Sequence, residues 1–165
     1  MNWAYVHLLV NHVPVLGTIF GLLLLAAGLW RRKGDLVVAS LITFIVCGLA
    51  AAGAVWTGER AEDLAEDLPG VTREAVHEHE EAGEQARWAS LLLGVAALAA
   101  LLYRRRDATG GPRWLQGLVL VLALVAAGLL ARAADLGGMV RHTEVRGGLM
   151  AQPPATGGPG EAQDN

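Results

Sequence analysis

Four long apolar runs constrain this chain more than any other feature: Val13–Trp30, Leu36–Trp56, Trp88–Tyr103 and Trp114–Ala131. Each approaches the roughly 17–25 residues a helix needs to cross a hydrocarbon core about 30 Å thick. The third is short by itself, but its helical pattern continues upstream to about Thr72. With 53% hydrophobic and 18% charged residues among 165, the composition is that of a small membrane protein. The fold class is therefore all-α, an integral membrane four-helix bundle over residues 1–146. The Gly- and Pro-rich tail 147–165 has no apolar period and is expected to be disordered. The first run is expected to be retained, because its basic cluster follows the apolar segment instead of preceding it as in a signal peptide.

Charge orients the spans. Arg31, Arg32 and Lys33 join the first two runs, and Arg104, Arg105, Arg106 and Arg113 join the last two. The connection between the second and third runs is acidic, with ten carboxylates from Glu59 to Glu84 against Arg60, Arg73 and Arg87. The positive-inside rule places both basic loops in the cytoplasm and puts both termini and the acidic connection outside. In a bacterium this is the inner (cytoplasmic) membrane with its periplasmic face. The net charge of -3 conceals the split, and an acidic outer face argues against nucleic acid as a partner. Within the connection, Leu64 and Leu68 give an amphipathic turn before Pro69-Gly70 reverses the chain. All five tryptophans lie near span ends, as an aromatic belt requires.

All five histidines fall on the outer side: His7, His12, His77, His79 and His142. The single cysteine, Cys47, excludes an intrachain disulfide and any multi-cysteine metal site. Stepping along a helix from His79 meets Ala82, Gly83, Ala86, Ser90, Leu93, Gly94 and Ala97, a small-residue stripe that faces neighbouring helices. His79 is thus read as pointing inward. The same walk from His77 meets Glu80, Glu81, Glu84 and Trp88, a solvated face. The second helix offers Ser40, Thr43, Cys47, Ala51, Ala54 and Gly58 on its small face. On the fourth, Gly117, Val121, Leu124, Gly128, Ala131, Asp135, Gly138 and His142 share one side, read as facing the bundle. Arg132 and Asp135 are expected to pair with one another or with the site.

The first helix has two readings. If it is continuous, His7 shares a face with Asn11, Pro14, Gly17, Thr18, Gly21 and Gly28, and His12 lies about 140° away. If Pro14 kinks the chain or opens the helix, His12 sits at the cap.

His7-Leu-Leu-Val-Asn-His12-Val-Pro14, Thr57-Gly58, the His79 entering the third helix and Gly137-Gly138-Met-Val-Arg-His142 together carry a resemblance. The chain resembles, over roughly Trp3 to Arg146, an uncharacterised bacterial family of four-helix membrane proteins, a domain of unknown function. Val13 stands where that family has an aromatic residue, and Thr143 where Gly commonly follows the last histidine. Members of the family are often fused to Rieske or c-type cytochrome modules, so the resemblance implies electron transfer.

Histidine-rich, cysteine-free sites in helical bundles commonly serve haem or a transition metal. The leading expectation is a haem b electron-transfer subunit, with axial imidazoles drawn from His7, His12, His79 and His142. Its partners would be a periplasmic cytochrome or respiratory-complex subunits, besides membrane lipid. The alternative is a non-haem Zn, Cu or Fe site from His12, His79, His142 and Glu59. A third reading is an anchor subunit whose histidines bond only to one another or to backbone. No nucleophile triad, phosphate loop or nucleotide fingerprint appears.

Overall fold

The structure, a computed structural model, describes residues 3–60, 73–106 and 112–141. They form four helices: α1 Trp3–Trp30, α2 Gly34–Glu59, α3 Arg73–Arg106 and α4 Arg113–Arg141. All four are long and apolar enough to cross a membrane, so the chain is a multi-pass membrane protein built as a four-helix bundle. The turn between α1 and α2 is short because Arg32 takes a left-handed φ of 54°. That lets Lys33 N–H reach back to the Gly28 carbonyl at 2.9 Å and close the helix end.

Consecutive helices pack side by side, and α1 and α4 complete the ring more loosely. α1 and α3 therefore face one another across the bundle axis. Toward the basic end the core contains Leu25, Leu41, Phe44, Leu93 and Val119. Toward the other end it narrows to Ala82, Ala86, Leu130 and Ala133, with Val15, Leu129 and Leu136 against them. Small side chains there allow the close approach that drives helix association in lipid. α2 and α3 cross on glycine: a Cβ on Gly48 would meet the Ser90 carbonyl oxygen at 2.8 Å, and one on Gly94 the Phe44 carbonyl oxygen at 3.5 Å.

One expectation left open by the sequence is settled, and one is reversed. α1 is one helix from Trp3 to Trp30 with Pro14 inside it, so it begins ten residues before the apolar run. Its buried residues are Pro14, Thr18, Gly21, Leu25 and Gly28, the continuous-helix face that His7 shares. On α4 the assignment of faces is reversed. Gly117, Val121, Leu124, Gly128, Ala131, Asp135 and Gly138 are exposed, and Leu115, Val119, Ala123, Ala126, Leu130 and Ala133 form the buried face. In lipid both faces of a span are apolar, so a glycine stripe does not by itself mark the packed one.

Candidate functional site

At the end opposite the basic loops, two histidines meet near the axis. His7 comes from the second turn of α1, and His79 from the second turn of α3. Their ring centroids lie 6.4 Å apart with planes at 82°. Both rings are held by the main chain of the next helix. His7 Nδ1 lies 2.8 Å from the Ala54 carbonyl oxygen on α2, and His79 Nδ1 lies 3.0 Å from the Ala133 carbonyl oxygen on α4. A carbonyl only accepts, so in each ring Nδ1 carries the hydrogen, and in the neutral form Nε2 keeps its lone pair.

Each ring is also seated on a glycine one turn beyond its carbonyl. A Cβ on Gly58 would meet His7 Cε1 at 3.1 Å, and one on Gly137 would meet His79 Cε1 at 2.8 Å. A side chain at either position crowds the imidazole, most severely at Gly137. Beside His7, Thr57 Oγ1 lies 3.4 Å from Nδ1 and has the Ala54 carbonyl at 2.9 Å and the Gly53 carbonyl at 3.0 Å as acceptors. One turn outward, Trp3 and Trp56 meet edge to face at 5.5 Å, and the Arg60 guanidinium stacks 3.7 Å over Trp56. The same guanidinium lies 5.5 Å from the Trp3 ring, so this cation–π contact joins the ends of α1 and α2 over the His7 side.

His79 lies nine residues before Trp88, outside the apolar stretch of α3. Burial pushes its pKa down, against the opposing effect of its bond to Ala133, and the neighbouring His7 pushes it down further. A neutral imidazole with a free Nε2 is the form that ligates metals.

The remaining sequence candidates fall elsewhere. His12 is exposed, and its Nδ1 donates to the Leu8 carbonyl of its own helix. His77 and Glu59 are exposed as well. His142, the Leu64–Leu68 turn and the tail 147–165 lie outside the described residues. Arg132 donates to Gln85 Oε1 on α3 at 3.0 Å, and Asp135 is exposed. Among the described residues, no group of three or more His, Cys, Asp or Glu side chains could hold a metal ion. The carbonyls of Ala54 and Ala133 and the glycine seats were not singled out as ring anchors in the sequence. Their signal was there as Ala-x3-Gly, at Ala54–Gly58 and again at Ala133–Gly137.

Compared with known proteins, the chain matches no family model, no curated protein and no solved structure. The family resemblance therefore stands on its motifs alone.

Proposed function

We propose that His7 and His79 together bind one transition-metal ion of the Cu or Fe class, and that the protein is an electron-transfer subunit of a membrane complex. The observation that carries this reading is the pair of Nδ1–H bonds to main-chain carbonyls, the outer-shell arrangement that orients ligating histidines and leaves Nε2 for the metal. Metal–nitrogen bonds of about 2.0–2.1 Å put the centres of two imidazoles on one ion about 5–6.5 Å apart. The observed spacing, 6.4 Å, lies at the upper end of that range, where the two nitrogens stand on opposite sides of the ion. Imidazole donors favour Cu, Zn or Fe over Mg or Ca. The ion's other positions would be filled by water.

Haem b fits less well. The two rings could supply axial donors, but Ala82, Ala86 and Ala133 are buried in the bundle beside them, so a macrocycle there would have to part the helices. The orientation follows the charge: Arg31, Arg32, Lys33 and Arg104–Arg106 at one end support a cytoplasmic basic face and a periplasmic histidine face. The carboxylates of the connection support a basic redox partner such as a periplasmic cytochrome.

The test is metal analysis of protein purified in mild detergent, with oxidised and dithionite-reduced absorption spectra. Stoichiometric Cu or Fe without a haem α-band is the expected result. An α-band would replace the bare ion with haem. Absence of both after growth with ample metal and haem would leave a structural subunit and overturn the proposal.

A further inference from the structure

The two histidines share a carbonyl anchor and a glycine seat, and the likeness extends through the bundle. A shift of 72 positions carries His7 of α1 onto His79 of α3. The same shift carries every buried residue of α1 onto a buried residue of α3: Pro14 onto Ala86, Thr18 onto Ser90, Gly21 onto Leu93, Leu25 onto Ala97 and Gly28 onto Ala100. Between α2 and α4 a shift of 79 carries the ring acceptor Ala54 onto Ala133 and the seat Gly58 onto Gly137. It also carries buried Ser40 onto Val119, Phe44 onto Ala123, Cys47 onto Ala126 and Ala51 onto Leu130. Apart from the histidines, their acceptor alanines and their seat glycines, the residue identities differ at each of these pairs, so the likeness is one of packing geometry.

We infer that α1–α2 and α3–α4 are two repeats of one helical hairpin related by a two-fold axis along the bundle, and that His7 and His79 are equivalent donors to one ligand on that axis. Parallel repeats about an axis normal to the bilayer are a known way to build a membrane domain. A ligand on such an axis is one that accepts two like donors, and a single metal ion does so. Only this identity of the ligand rests on the metal reading above. The symmetry is imperfect: buried Val37, Leu41 and Thr57 of α2 fall on half-buried Gln116, Leu120 and Leu136 of α4, and one seam is looser for a reason visible in the residues. Where Gly48 and Gly94 let α2 and α3 touch, the equivalent positions on α4 and α1 are Ala127 and Leu22. Their side chains hold that pair apart, which accounts for the looser closure between α1 and α4.

The equivalence is tested on the full chain in lipid nanodiscs, with 15N-labelled histidine and no metal added. Both rings are expected in the Nδ1–H form with an unprotonated Nε2. Gly58→Ala is expected to disturb the His7 signals alone, and Gly137→Ala those of His79 alone. Copper(II) is then the probe. Electron–nuclear spectroscopy should count two equivalent imidazole nitrogens, and His7→Ala or His79→Ala should each leave one and weaken binding by a similar factor. Each glycine substitution, acting through ring orientation, should weaken binding by about 10–100-fold. Different tautomers in the two rings, or losses that differ by more than about tenfold, would overturn the equivalence. Matching tautomers in a chain that binds no copper would overturn the metal reading and leave the repeat standing.

Discussion

His79 shows how one side chain was readable from its neighbours in sequence. Its helical stripe of Ala82, Ala86, Ser90 and Leu93 is buried, and His77, two residues away, is exposed. His79→Ala and His7→Ala are each expected to abolish retention of bound metal, whereas His77→Ala and His12→Ala should retain it; metal content after gel filtration is the measurement. The partners of the rings were harder to read, because a main-chain carbonyl carries no residue signature. The lowered pKa of His79 also has a consequence for stability. The unfolded chain takes up a proton at this histidine more readily than the folded one, so stability is lost as pH falls through the ordinary histidine range near ~6.5. The thermal unfolding midpoint of metal-free protein should drop between about pH 7 and pH 5, and His79→Gln should flatten that slope. Deeper in the bundle, Thr18 Oγ1 is buried with only the weakly bonding Cys47 thiol beside it. Thr18→Val should stabilise the bundle by up to about 1 kcal/mol, since it removes a desolvated hydroxyl whose thiol contact returns little. A loss in thermal unfolding would count against that accounting.

At the level of elements, the existence of each helix was legible and the facing of one was not. α1 continues through Pro14 because its first turns are fixed from outside the helix, by the His7–Ala54 bond and by the contact of Trp3 with Trp56. Those contacts offset the donor that proline removes. On α4 the glycines suggested a packing face, yet a Cβ on Gly117 or Gly128 would meet nothing within 4 Å. Hydropathy offers no help there, since lipid and core are equally apolar. The two kinds of glycine separate on substitution. Gly48→Ala forces α2 and α3 apart and should cost about 1–3 kcal/mol, whereas Gly128→Ala should be neutral or stabilising by up to about 1 kcal/mol through helix propensity. Unfolding in detergent compares them directly, and equal effects would contradict the assigned faces.

For the whole molecule, the apolar runs and the placement of charge were enough to read a four-span bundle, and the structure adds how its ends differ. Fusions at either terminus should behave as periplasmic: alkaline phosphatase active, a cytoplasm-dependent fluorescent protein dark. The reverse pattern would invert the proposed orientation. The two-fold relation was hidden in the sequence because Phe44 and Ala123, or Leu25 and Ala97, occupy equivalent places with unlike volumes. At these pairs, and at Gly21 and Leu93, a large side chain in one repeat is matched by a small one in the other.

Cys47 is 1% exposed, with its thiol 3.8 Å from the Val13 carbonyl of α1. As the chain's one cysteine, it turns the native protein into its own clock. A thiol reagent can reach it only while α1 and α2 stand apart, so the labelling rate under native conditions counts how often the first hairpin breathes.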